Sequence, residues 1–182
     1  RSSDLIGYGL GTMHYSGCCG FKSILIPELV TNVAPLFLKY HPQHFTGGPI
    51  HAENLELFLK DPKNRDKIEE LRKILYEEVK NWVSGGAPLK TSTEEFLNKP
   101  QILVRQGLGC TENGGAATFA KKGAYKERSV GIPLMLETMA IFEKDTDHEL
   151  KYYEEGASKE PIPQESIYQL IKEKIRKERK YV

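Results

Sequence analysis

Cysteine, tryptophan and long apolar runs are scarce in this sequence. Three cysteines and one tryptophan occur among its 182 residues, and two of the cysteines, Cys18 and Cys19, are adjacent. Adjacent cysteines bridge only with strain. Three cysteines at this spacing make neither a disulfide framework nor a Cys-x-x-Cys metal pair. This cysteine usage fits a reducing compartment best.

No apolar stretch reaches the roughly 20 residues that a membrane-spanning helix needs. The N-terminus also lacks the basic-then-apolar order of a signal peptide. We therefore expect no transmembrane segment and a cytoplasmic location. The chain begins with Arg1 rather than methionine, so we expect a processed product, a fragment or part of a longer protein.

The sequence has no excess of charge of one sign. Its 26 basic and 25 acidic residues leave a formal charge of +1. The protein therefore has no overall electrostatic field that would attract nucleic acid or an acidic substrate. We expect no nucleic-acid partner. The run Lys172–Lys180 has six basic and two acidic residues. We interpret it as a solvated helix face, with nucleic-acid or anionic-lipid binding as the alternative.

What the sequence does contain is an alternation of β-like and helix-like segments, which predicts an α/β fold with a sheet flanked by helices. The short segment Gln43–Thr46 continues this alternation. The expected strands are Ser23–Ile26, Val79–Val83, Gln101–Arg105 and Thr138–Phe142. The expected helices are Glu28–Tyr40 with a break at Pro35, the stretch around Leu55–Leu59, Lys67–Tyr76, Thr91–Leu97 with Ser92 and Glu95 as a cap, and the stretch from Pro161 onward.

Two glycine-rich segments each follow an expected strand. The first is Ser-Gly-Gly-Ala-Pro-Leu at residues 84–89, and the second is Gln-Gly-Leu-Gly-Cys-Thr-Glu at residues 106–112. Gly107 and Gly109 remove side chains where a backbone would approach a ligand. Thr111 offers a hydroxyl to phosphate and Glu112 a carboxylate to Mg²⁺. Alone, the second segment favours turn glycines and a helix cap, but two such segments after successive strands favour a nucleotide-phosphate site.

Three histidines, His41, His44 and His51, lie close together in the sequence. They lack a partner carboxylate at a recognised spacing, so ordinary structural roles are favoured over a metal site.

Five segments in order resemble the AMP-forming adenylating enzymes, a family that includes acyl-CoA synthetases, luciferases and peptide-synthetase adenylation domains. The resemblance covers most of Leu5–Gly156. Residues 84–89 are similar to the adenine-wall motif, and residues 106–112 are similar to the family pattern Gln-Gly-Tyr-Gly-Leu-Thr-Glu. The other matching segments are Lys122-Gly123 with 129–133 and Glu137, Gly7-Tyr8-Gly9, and 40–43 leading to Gly48-Pro49.

The resemblance implies an ATP-dependent acyl-CoA synthetase that activates a fatty or aromatic carboxylic acid through an acyl-adenylate. ATP, Mg²⁺ and coenzyme A are the implied cofactors and co-substrates. Thr111 and Glu112 are the implied catalytic residues, with Thr111 on phosphate and Glu112 on Mg²⁺. The implied adenosine contacts are Gly86, Ala87, Pro88, Gly107 and Leu108, and the implied acyl contacts are Tyr8, Gly109 and Ala116.

The sequence departs from the family pattern at two positions. Leu108 stands where an aromatic residue usually stacks on adenine, and Ile6 stands where many members carry a histidine beside the acyl pocket. Leucine gives dispersion contact without a π-face, so we expect weaker nucleotide affinity.

The phosphate loop, the ribose-binding motif, the hinge and the catalytic lysine of the family are missing from the sequence. We expect an incomplete enzyme with a join near Gly156-Ala157, caused by a deletion or by segments absent from this sequence. It would separate a partial N-terminal AMP-binding domain, residues 1–156, from a C-terminal helix, residues 157–182. The alternatives are an adenylation domain that loads a carrier protein and a catalytically dead interaction module.

Overall fold

The computed structural model describes about two thirds of the chain. The described residues are 18, 20–24, 30–109, 117–121, 123, 125–134, 138–142, 149–154 and 162–163.

Within the described residues, four helices precede or separate the first three strands. They are α1 Ala34–Tyr40, α2 Pro49–Lys60, α3 Arg65–Lys73 and α4 Thr91–Asn98. A 3₁₀ turn, Pro62–Asn64, joins α2 to α3, and α3 continues as a π-helical turn over Ile74–Glu78.

Eight strands are found among the described residues. They are β1 His44–Gly47, β2 Asn81–Ser84, β3 Val104–Gln106, β4 Thr118–Phe119, β5 Ser129–Pro133, β6 Thr138–Phe142, β7 Glu149–Glu154 and β8 Ile162–Pro163.

The first three strands form a parallel sheet in the order β1-β2-β3. The register pairs Gly47 with Ser84 and Ser84 with Gln106, so the three strands end side by side. Parallel pairing requires a crossover between consecutive strands, and α2–α3 and α4 supply the two crossovers. The α/β prediction, with a sheet flanked by helices, is confirmed.

One face of this sheet carries the hydrophobic core. Phe45, Trp82 and Val104 are in register across the three strands, and Phe37 of α1 packs against the first two. The ring centroid of Phe37 lies 5.3 Å from the ring centroid of Phe45 and 5.3 Å from that of Trp82. Apolar residues of all four helices complete the core: Ala34, Ala52, Leu55, Leu71 and Leu97 are fully buried.

The opposite face of the sheet contacts the segment that contains β4. The guanidinium of Arg105 lies 4.9 Å from the ring centroid of Phe119 and donates to the carbonyl of Ala120 and to the side chain of Asn81. The β4 strand then pairs antiparallel with β5, and β5 pairs with β8. Strands β6 and β7 form a separate antiparallel pair.

The structure corrects several sequence predictions near Pro35 and in α4. Pro35 lies in the first turn of α1 rather than at a break, because a proline at that position has no hydrogen bond to lose. Ser92 does not cap α4, since the helix begins at Thr91 and the N-cap residue is Lys90. Ser23 and Ile24 lie outside any strand.

The strand that we expected at Gln101–Arg105 begins three residues later, at Val104, and ends one residue later, at Gln106. Asn98 accepts hydrogen bonds from the backbone of Leu103 and Val104, which delays the start of the strand. The strand that we expected at Val79–Val83 begins at Asn81, because the Val79 N–H donates to Ile74 and ends the π-helical turn. Strand β6 matches its prediction at both ends.

The predicted C-terminal helix is wrong at Ile162 and Pro163, which form β8. The rest of that helix, and Leu25 and Ile26 of the first expected strand, lie outside the described residues. The division into 1–156 and 157–182 stays a prediction.

Leu55 and Leu57 provide a matched test of the core within α2. Leu55 is fully buried and Leu57 is 65% exposed. We expect Leu55→Ala to lower the free energy of unfolding by about 2–5 kcal/mol, because it leaves a cavity among the core residues. Leu57→Ala is expected to change it by less than about 0.5 kcal/mol. Urea unfolding followed by the fluorescence of the single tryptophan, Trp82, measures both; equal effects would contradict this core.

Candidate functional site

The carboxyl ends of β1, β2 and β3 bring three glycine-containing segments to one edge of the sheet. Backbone hydrogen bonds continue the ladder past the strand ends: Gly85 N–H donates to Gly47 O at 3.2 Å, and Gly107 N–H donates to Ser84 O at 3.0 Å. The two segments singled out in the sequence are therefore direct neighbours.

The first segment, residues 84–89, is anchored at both ends and exposed in the middle. Ser84 and Leu89 are buried, whereas Gly86, Ala87 and Pro88 are exposed. Gly86 has a φ of +82°, a conformation that glycine adopts without steric cost. The exposed part presents small side chains and backbone to solvent.

The described part of the second segment, residues 106–109, is held by the residues around β4. The carbonyl of Leu108 accepts the N–H groups of Ala117 at 2.8 Å and Thr118 at 3.0 Å. The N–H of Leu108 donates to the Thr118 hydroxyl at 3.1 Å, and that hydroxyl donates to Val130 O at 2.7 Å. Leu108 is thus joined by hydrogen bonds to Ala117 and Thr118.

Gly107 is required by a close backbone approach. A Cβ at this position would lie 3.0 Å from the carbonyl oxygen of Thr118. This oxygen is part of the main chain and cannot rotate away, so a larger residue would push β4 and the second segment apart.

A buried polar cluster lies beneath the two segments. Glu94 of α4 is fully buried and accepts from Gln106 Nε2 at 2.9 Å and from the Tyr125 hydroxyl at 2.9 Å. Asn98 Nδ2 donates to the same hydroxyl at 2.8 Å. On the other side, the Oε1 atom of Gln106 accepts the Leu89 N–H at 3.2 Å.

Burial controls the titration of this cluster. Desolvation raises the pKa of Glu94 above its usual range, and the nearby Glu127 carboxylate raises it further, although hydrogen bonds from Tyr125, Arg128 and Gln106 act in the opposite direction. Desolvation also raises the pKa of the Tyr125 hydroxyl. Sequence reasoning missed Glu94 and Tyr125. The available signal was Gln106 itself, because an amide at the end of a buried strand needs buried partners.

The structure places six of the ten predicted site residues at this edge. Four of them, Tyr8, Thr111, Glu112 and Ala116, lie outside the described residues. The six at the edge belong to the two neighbouring segments: Gly86, Ala87, Pro88, Gly107, Leu108 and Gly109.

The three histidines have separate environments. His41 lies 3.0 Å from the Glu78 carboxylate, the ring of His44 stacks on Phe21 with centroids 4.8 Å apart, and His51 Nδ1 lies 3.0 Å from Gly48 O. In the part of the chain that the structure describes, no group of three or more His, Cys, Asp or Glu side chains is arranged to hold a metal ion.

Two CoA ligases are among the solved structures that share this fold. A benzoate CoA ligase from Burkholderia xenovorans LB400 superimposes with a TM-score of 0.61 and 19% identity, covering 80% of this chain and 28% of that one. An anthranilate CoA ligase, AuaEII, in complex with anthranoyl-AMP gives a TM-score of 0.60, 19% identity and coverages of 80% and 27%. The fold is therefore that of the N-terminal domain of adenylating enzymes.

The family model described as AMP-binding enzyme matches residues 6–157. The chain therefore belongs to the AMP-binding enzyme family. A curated relative, "Probable 4-coumarate--CoA ligase 2" from Dictyostelium discoideum, is 32% identical over 76 residues, which cover 40% of this chain and 14% of the relative. The chain spans just over a quarter of the length of the two ligase structures.

Among the described residues, no helix is long and apolar enough to cross a membrane.

The close approach at Gly107 gives a first prediction for this site. We expect Gly107→Ala to lower the free energy of unfolding by about 1 kcal/mol or more, because the added Cβ meets the Thr118 carbonyl. Gly123→Ala is the control, since a Cβ there meets nothing within 4 Å. Urea unfolding compares the two variants, and an equal response would contradict the tight contact.

The raised pKa of Glu94 predicts a pH dependence of stability. In the folded state Glu94 holds its proton at pH values where the unfolded state, with a pKa near the ordinary 4.5, has lost it. The free energy of unfolding should therefore fall as the pH rises from about 4.5 through the folded-state pKa.

Glu94→Gln removes this titration, so its stability relative to the wild type should rise across that window. Glu95→Gln is the matched control, because Glu95 is exposed on the same helix. Urea unfolding between pH 4 and pH 8 measures the difference, and a difference that does not change with pH would refute the assignment.

Proposed function

We propose that this chain is the adenosine- and acyl-binding part of an AMP-forming acyl-CoA ligase. The observation that carries the proposal is the adjacency of the two glycine-rich segments at the carboxyl ends of β2 and β3. Ligands of parallel α/β sheets bind at this end of the strands. Membership in the AMP-binding family and the similarity to CoA ligases support the same reaction.

The proposed reaction has two steps. In the first, a carboxylate oxygen of the acid attacks the α-phosphorus of ATP, and the bond from that phosphorus to the bridging oxygen breaks to release pyrophosphate. In the second, the sulfur of coenzyme A attacks the carbonyl carbon of the acyl-adenylate, AMP leaves, and the thiol proton passes to solvent. Both steps build negative charge, which preorganised donors stabilise.

The described part of the site fits a nucleotide. Gly86, Ala87 and Pro88 expose a backbone surface without bulky side chains, as a planar adenine ring requires. Leu108 lies half-buried on the neighbouring segment and would contact the ring by dispersion.

The remaining roles fall to Gly109 at this edge and to residues that precede or follow the edge in the chain. Thr111 would bind phosphate and Glu112 would hold Mg²⁺, which neutralises phosphate charge when bound. Tyr8, Gly109 and Ala116 would border the acyl group.

For the acid, we propose an aromatic or fatty carboxylate. The names of the relatives support the aromatic class, since they specify 4-coumarate, benzoate and anthranilate. ATP–pyrophosphate exchange with the longest natural form of the protein tests this, using benzoate, 4-coumarate, hexanoate and palmitate. If none of these four acids stimulates ATP–pyrophosphate exchange, the proposed substrate class is wrong. Coenzyme A and a carrier-protein thiol are then compared as acceptors of the adenylate.

The role of Glu112 gives a further prediction. In the longest natural form of the protein, Glu112→Gln should lower acid-dependent ATP–pyrophosphate exchange by about 100-fold or more, because the metal loses its carboxylate ligand. Glu95→Gln should retain the wild-type rate, since Glu95 lies on the exposed side of α4. Unchanged exchange in Glu112→Gln would remove the metal role, and no exchange in the wild-type protein would favour a catalytically dead module.

A further inference from the structure

We infer that Glu94 is a positioning residue that fixes the orientation of the Gln106 side-chain amide and thereby ties the two glycine-rich segments together. The inference rests on the proposed function for its ligand, but its structural part can be tested without a ligand.

Gln106 provides a direct side-chain link between the segments. It is the first residue of the second segment and is 2% exposed, and its Oε1 atom accepts the backbone N–H of Leu89, the last residue of the first segment. Leu89 is also 2% exposed. Loss of this acceptor from a buried N–H is costly, because water cannot replace it there.

The Gln106 amide can hold Leu89 in only one of its two orientations. Its oxygen must face Leu89, so its NH₂ group must face a hydrogen-bond acceptor. Glu94 Oε2 is that acceptor at 2.9 Å. Above its raised pKa, the ionised Glu94 carboxylate has no N–H or O–H to donate, so it selects the amide orientation in which Oε1 points to Leu89.

The other oxygen of Glu94 is fixed in the same way. Asn98 Oδ1 accepts the N–H groups of Leu103 and Val104, which directs Asn98 Nδ2 to the Tyr125 hydroxyl. Because Tyr125 receives this bond, its own proton goes to Glu94 Oε1 at 2.9 Å. The directions of the hydrogen bonds that lead from Asn98 through Tyr125, Glu94 and Gln106 to Leu89 are therefore set. The backbone N–H of Arg128 also donates to Glu94.

Glu94→Gln should break this sequence of bonds at one point. The new side chain must keep its oxygen toward Tyr125, so its NH₂ group would face the NH₂ group of Gln106. The Gln106 amide then rotates to present its oxygen to position 94, and the Leu89 N–H loses this acceptor. The charge also changes, so a second variant is needed to separate the two effects.

The exchanged pair Glu94→Gln with Gln106→Glu restores the pattern of donors and acceptors. The amide at position 94 donates to the carboxylate at position 106, and the second carboxylate oxygen accepts the Leu89 N–H. The net charge equals that of the wild-type protein. A general effect of altering α4 or β3 would instead make the double variant worse than either single variant.

The test measures amide hydrogen exchange at Leu89 by NMR at pH 8, together with AMP binding by calorimetry. In Glu94→Gln we expect the Leu89 amide to exchange about 10-fold faster and the Kd for AMP to rise about 10-fold. In the double variant both values should return to within about 3-fold of the wild type. The control Glu95→Gln should change neither.

Two results would overturn the inference. The first is a Leu89 amide that exchanges in Glu94→Gln at the same rate as in the wild-type protein. The second is a Leu89 amide that exchanges in the double variant as fast as in Glu94→Gln or Gln106→Glu. If Glu94→Gln does not fold, the comparison of the double variant with Gln106→Glu decides the same question. If the wild-type chain binds no AMP but the order of exchange rates holds, the proposed function fails and the positioning role stands.

Discussion

Parallel, in-register pairing of β2 with β3 is the constraint on which the site depends. It sets Ser84 beside Gln106, and the ladder continues through the Gly107 N–H to Ser84 O bond at 3.0 Å. Two segments about twenty residues apart in sequence therefore leave the sheet together. A register shift of one residue would move every side chain of one strand to the opposite face, so the core around Trp82 and the geometry of the site are specified by the same pairing.

Hydrogen bonds from three directions hold the two segments once the sheet has placed them. The β4 region fixes Leu108 from one side, and Gln106 reaches back to Leu89 from below. Glu94 supports Gln106 from α4. Because each partner in a buried network must be satisfied, such a cluster specifies one arrangement rather than several. Desolvation of Glu94 is the cost of this arrangement, and the raised pKa of that carboxyl expresses it.

Much of the fold could be predicted from the sequence, because apolar periodicity and glycine positions directly reflect sheet and helix geometry. Strand β6 and the course of α2 and α4 followed from such patterns. The errors occurred where a hydrogen bond outside the regular ladders decides a boundary, as at Asn98, which delays β3, and at Val79, which ends the π-helical turn. Gln106 indicated that buried partners were needed, but Glu94 and Tyr125 could not be identified as those partners, since they are distant in sequence and meet Gln106 only when α4 packs on the sheet.

The central claim is that residues 84–89 and 106–109 form one nucleotide site. The most direct measurement is an AMP titration of the ¹⁵N-labelled chain, followed through the backbone amide signals. Our account predicts that the signals of Gly85, Gly86 and Leu89 shift together with those of Gly107, Leu108 and Gly109, saturating with a single Kd. Shifts confined to one of the two segments, or none at a saturating AMP concentration, would contradict it.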